Sequence, residues 1–167
     1  LDARTSALAA TLPECESKLL ELARQTVNAL NTAVMEGDET GAKKSSDLYD
    51  AVCYKMNGNT FKGCSVGNPS VRQRIEDYCS AVPGTVPLWG QAGEFMLDMG
   101  VYRLWVKCST KFGMWMPHFE FFAVDLNRPF LSETGYRSVF ASFAGKATVE
   151  EAARTLAKAM PLRKIED

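Results

Sequence analysis

Apolar residues recur at a helical interval through the first half of the chain and switch to alternation in the second. Leu19, Leu22, Ala23, Thr26, Val27, Leu30 and Val34 fall three or four apart and predict a long helix. Pro13 is placed in its first turn, where a missing N–H costs nothing, and Glu14 and Glu16 lie near the positive end of its dipole. Gly37 is read as its stop. A polar connector, 37–44, leads to a second helix opening at Ser45 or Ser46, with Leu48, Val52, Cys53 and Met56 on one face and Asn57-Gly58 at its end. Residues 57–69, broken by glycines and a proline, predict a long irregular loop. Ser70 and Gln73 have capping-box spacing for a third helix, with Val71, Ile75, Cys79 and Val82 inward and Pro83-Gly84 as terminator.

Beyond residue 83 the period changes to two. Residues 94–99 form a short apolar stretch. From 101 to 108, Tyr102, Leu104, Val106 and Cys108 point one way, while Val101, Arg103, Trp105 and Lys107 point the other. Met99-Gly100 between the two segments predicts a hairpin. A third strand spans 118–126, with His118, Glu120, Phe122 and Val124 opposed to Phe119, Phe121, Ala123 and Asp125. Asn127-Arg128-Pro129 breaks it, and a fourth extended piece falls within 130–143. Thr148 and Glu151 then open a last helix, with Val149, Ala152, Ala153, Leu156, Ala157 and Met160 inward and Pro161 closing it. The predicted fold class is α+β: N-terminal helices, a central antiparallel meander of three or four strands, and a C-terminal helix packed on the sheet. One domain over 1–167 is expected, with a helical part (1–83), a sheet part (84–145) and a C-terminal helix and tail (146–167).

The 167 residues, 46% of them hydrophobic, can bury a core and are too apolar for a disordered chain. Nineteen Lys+Arg against twenty Asp+Glu leave a net charge of −1, so no global positive field draws in nucleic acid or an anionic membrane. No membrane association is expected. Five cysteines (Cys15, Cys53, Cys64, Cys79 and Cys108) are an odd number, which fits thiols in a reducing cytoplasm. A Cys53–Cys79 bridge between helices is compatible with the pattern without being required by it. No CxxC or HxxxH occurs and His118 is the single histidine, so neither a metal nor another cofactor is expected.

Three constellations could carry chemistry. The run from Gly37 to Ser45 resembles a phosphate loop in composition only. Ala42 stands where its second glycine belongs, Lys44 where its hydroxyl belongs, and two acids would face the phosphates. A thiol enzyme would need Cys108 and His118 to face each other across neighbouring strands, with Glu120 or Asp125 orienting the imidazole. The third is the aromatic sheet. Trp89, Tyr102, Trp105, Phe112, Trp115, Phe119, Phe121, Phe122 and Phe130 crowd together, with core packing as their first use.

Protein contact is the expected activity of what remains exposed. Arg103, Trp105, Met114, Trp115, Met116, Tyr136 and Arg137 are the candidate partner-binding residues, because Trp, Met and Arg enrich interfaces. A homodimer through the same patch is a further expectation. The alternative is a single-stranded nucleic-acid module stacking bases on the sheet beside Arg103, Trp105, Lys107 and Lys111. Catalysis is not expected. The phrase from Phe130 to Ser138, with hydroxyls, a carboxylate, Gly135 and Arg137 in one loop, is similar to phrases in small accessory proteins of bacterial plasmids and integrated elements. That resemblance implies an accessory or counter-defence role, such as blocking a host nuclease complex, and assigns no catalytic residue.

Overall fold

The computed structural model describes residues 2–111, 116–125, 132, 134–143 and 145–160. Helices α1 (Asp2–Ala10), α2 (Glu16–Glu36), α3 (Glu39–Met56) and α4 (Val71–Cys79) precede strands β1 (Gly93–Asp98), β2 (Arg103–Lys111), β3 (Met116–Ala123) and β4 (Tyr136–Phe140). Helix α5 (Val149–Ala159) follows. The strands form one antiparallel sheet in the order β1-β2-β3-β4, so the α+β meander expected from the sequence is the fold observed.

Helix starts are where the pattern misled. Helix α2 begins after Cys15, leaving Pro13 outside it rather than in its first turn. Gly37 ends α2 in the left-handed conformation (φ 76°), which an L side chain would strain. Helix α3 starts at Glu39, not at Ser45 or Ser46, because the Asp38 carboxylate accepts the Gly41 N–H at 3.0 Å and caps the polar stretch into helix. Helix α1 escaped the hydrophobic pattern altogether, since among its described side chains only Thr5 and Ala9 are buried. Lys55 fastens that helix to α3. Its ammonium, on a side chain only 8% exposed, donates to the carbonyls of Ala9 and Leu12 and pairs with Glu14 at 2.7 Å. The N-caps of α4 and α5 fall where expected, but the box is complete only at α5, with Thr148 and Glu151; at α4 Ser70 accepts the Gln73 N–H while the Gln73 side chain turns to Asp77 instead of back to Ser70. Val82, expected inward, lies beyond α4 and is exposed.

The strands sit close to expectation: β2 begins at Arg103 rather than Val101, and β3 spans 116–123 rather than 118–126. Gly100 (φ 87°) turns the first hairpin and donates its N–H to Asp98 Oδ1. The sheet's inner face is Phe95, Leu97, Leu104, Val106, Cys108, Phe119 and Phe121, all buried. These residues join Leu19, Val27 and Leu30 of α2, Val52 of α3, Ile75 of α4 and Val149 of α5 in one hydrophobic core. Trp89 is the joint between helices and sheet. Fully buried, it donates its backbone N–H to Asn31 Oδ1 of α2 and its indole N–H to the Ala147 carbonyl, and its ring meets Phe119 and Phe143 edge-on. Among the described residues no helix is long and apolar enough to cross a membrane.

Candidate functional site

With the hydrophobic side chains of the inner face in the core, alternation leaves a second face on which none of the described side chains is buried. The register aligns its residues in rows across the four strands. One row is Met96, Trp105, Phe122 and Tyr136, and the next is Glu94, Lys107, Glu120 and Ser138. His118 lies beyond them, stacked on Phe140 with ring centroids 4.4 Å apart.

The described charges of this face have partners close by. Glu94 accepts from the Trp105 indole at 3.3 Å and lies 3.6 Å from Lys107, whose ammonium stands over the Phe122 ring. Tyr136 donates its hydroxyl proton to Glu120 at 2.9 Å, and Arg103 pairs with Asp125 at 3.1 Å. Such a face offers rings and paired charges, and little free positive potential for a phosphate.

Arg103, Trp105, Met116 and Tyr136, four of the expected partner-binding residues, therefore share one face with Lys107; Arg103, Trp105 and Tyr136 lie near one end of the ladder and Met116, opposite Lys111, lies at the other. Arg137 is not on that face. It pairs with Phe121 in the register, which puts it on the opposite side, because neighbours along a strand alternate. Met114, Trp115 and the Lys111 side chain fall outside the described residues. In the loop before β4, Ser132 accepts the Tyr136 N–H at 3.2 Å and donates to the Tyr136 carbonyl at 2.8 Å. This hydroxyl shapes the turn into the strand.

The thiol-enzyme reading fails on register. Cys108 is opposite Phe119 on the inner face, while His118 is opposite Ser109 on the outer one, so the two cannot meet. Burial also pushes the Cys108 thiol up to about 12, away from thiolate chemistry. Cys53 and Cys79 are free and buried, with no bridge between them, and burial raises their thiols to about 12 and about 11. Cys15 is different. It is exposed, and the Ser17 hydroxyl and nearby backbone N–H groups lower its pKa. Among the described residues no three His, Cys, Asp or Glu side chains gather as around a metal ion.

A second surface is built by the segment between Asp50 and Glu76. Its twenty-five residues hold Lys55, Lys62, Arg72 and Arg74 and no carboxylate. Lys55 is used inside the fold and Arg74 pairs with Glu16, leaving Lys62 exposed with no carboxylate partner among the described residues. The loop is tied down. Asn57 donates its amide to the carbonyls of Thr60 and Lys62 at 2.7 and 3.0 Å, Phe61 packs edge-on against Tyr54 of α3, and Arg72 N–H reaches the Cys64 carbonyl. Ser70 caps α4 by accepting from Gln73 N–H, so Arg72, Gln73 and Arg74 fall in the first turn directly after the loop.

Residues 4–78 match the family model described as the KlcB N-terminal DNA-binding domain, and residues 92–164 match that of the KlcB third domain. The chain is similar to KlcB. It is 41% identical to one KlcB protein of Escherichia coli over 160 residues, which are 95% of this chain and 35% of that protein. With a second KlcB protein of the same organism it shares 44% identity over 154 residues, 92% of this chain and 38% of the relative. The chain thus spans little more than a third of the length of these relatives. No solved structure matches it.

The match with a DNA-binding description falls on the helices, whereas the nucleic-acid alternative drawn from the sequence lay on the sheet. What concealed the helical surface was averaging. Residues 4–78 carry nine Lys+Arg against ten Asp+Glu, and only a shorter window shows that the carboxylates are absent from 51–75.

Proposed function

We propose that this chain is a non-catalytic DNA-binding protein, and that it holds DNA through its helical half. The observation carrying this reading is the match of residues 4–78 to the KlcB N-terminal DNA-binding domain. DNA takes the place of the host protein suggested by the aromatic sheet. Within the helical half, the carboxylate-free segment 51–75 is where a phosphate backbone meets least repulsion. Lys62 in the ordered loop contacts phosphate, and the first turn of α4 enters a groove. There Gln73, exposed, donates its amide to Asp77 Oδ1 at 2.7 Å in the free chain and exchanges that partner for the edge of adenine. The net charge of −1 makes attraction local, so binding depends on this one face being presented.

The test is fluorescence anisotropy of a labelled DNA duplex titrated with the chain at several salt concentrations. The expected result is an affinity that falls steeply as salt rises, as counterion release requires. Absence of binding at low salt would remove DNA as the partner.

A further inference from the structure

The outer sheet face has a symmetry of its own. Of the ten large hydrophobic residues exposed among the described residues, four lie on it: Met96 (44% exposed), Met116 (39%), Tyr136 (38%) and Phe140 (52%). Among the described side chains there, Glu94, Asp98 and Glu120 stand against Arg103 and Lys107, so they leave no cationic surplus for a polyanion. A surface with its own alternation of sign is the better complement. By strand, the charges run negative on β1, positive on β2 and negative on β3, with none of the described side chains of β4 on this face charged.

We propose that this face is an interface between two copies of the chain, stacked sheet on sheet about a two-fold axis that runs parallel to the strands between β2 and β3. Such an axis exchanges β2 with β3 and β1 with β4 and keeps each cross-strand row in place. The row Met96, Trp105, Phe122, Tyr136 then lies on its own reversal: Trp105 of one protomer meets Phe122 of the other, and Met96 meets Tyr136. In the adjoining row, Lys107 of each protomer comes over Glu120 of the other, twice by symmetry, and Glu94 comes over Ser138. Apolar contacts form the centre and opposite charges meet beside it, which is the anatomy of a homodimer interface. A parallel axis centred on β2 would instead put Lys107 over Lys107, and one centred on β3 would put Glu120 over Glu120.

The interface is independent of DNA binding and is tested without DNA. Sedimentation velocity of the full chain over micromolar to sub-millimolar concentrations is expected to give twice the 18.4 kDa monomer mass. Lys107→Glu and Glu120→Lys are each expected to abolish the dimer, and the double variant to restore it. A monomeric wild type across that range, a dimer indifferent to both single reversals, or failure of a folded double variant to re-form the dimer each overturns the proposal. The wild-type mass is read without any substitution, so a variant that does not fold cannot rescue it.

Discussion

The carboxylate-free segment 51–75 and the outer face of the sheet are two exposed regions built on opposite principles. On the sheet, aromatic rings are dense and the described charges have partners close by, as Glu94 does with Trp105 and Lys107. In the segment, Phe61 is the ring in the loop itself and it faces α3, while Lys62 stands unpaired by any described carboxylate. Rings suit stacking and protein contact, but a surface whose charges already neutralise one another gains little from a polyanion. A sparse cationic loop with no competing acid can gain more.

The largest expected effect tests whether the two regions belong to one folding unit. Trp89→Ala removes the buried joint together with its indole bond to Ala147, and the cost expected is about 3–5 kcal/mol. Thermal unfolding followed by circular dichroism for the helices and by tryptophan fluorescence for the sheet should shift together. Two separated transitions would show two independently stable units. Next, Asn57→Ala deletes both amide bonds that hold the loop and should cost about 1–2 kcal/mol locally. Amide hydrogen exchange should rise in 58–64 and stay unchanged in β2 and β3. A smaller effect, about 1 kcal/mol, is expected from Thr148→Ala, which removes the cap of α5.

Two pH effects follow from the same contrast between buried and exposed groups. Cys53, Cys79 and Cys108 keep their protons in the fold to values well above the ordinary 9.0, so the unfolded chain loses these protons first. Stability should therefore fall as pH rises above about 9. A thiol reagent should label Cys15 first, through its lowered pKa and exposure, and reach the three buried thiols only on unfolding. Glu151 behaves in the opposite sense. The Thr148 N–H and hydroxyl hold its carboxyl below the usual 4.5, so its contribution to α5 is present above that value and disappears as pH falls through the lowered one.

Much of the fold was legible because the pattern and the caps agreed. Thr148 with Glu151 and Ser70 with Gln73 marked α5 and α4, and strict alternation marked β2 and β3 with the correct face of each residue. Helix α1 was not legible, since a short alanine-rich helix whose described side chains bury only Thr5 and Ala9 carries no apolar stripe. The start of α3 was hidden for a related reason: a single Asp38 cap turns into helix a stretch whose side chains suggest a connector. At the sites, alternation correctly grouped Arg103, Trp105 and Lys107 on one face. It also held the information that separates Cys108 from His118, which shows only once the β2–β3 register is known. The cationic segment was obscured by summing charge over windows longer than the segment itself.

The most direct measurement is the salt dependence of duplex DNA affinity for three proteins side by side: wild type, Lys62→Glu with Arg74→Gln, and Lys107→Glu on the sheet. If the helical half holds the phosphates, the first variant weakens binding and flattens the slope of log affinity against log salt by about 1 for each phosphate no longer neutralised, while the sheet variant keeps the wild-type slope. An unaltered slope in the helical variant, with the slope flattened instead in Lys107→Glu, would contradict this and return DNA to the aromatic sheet.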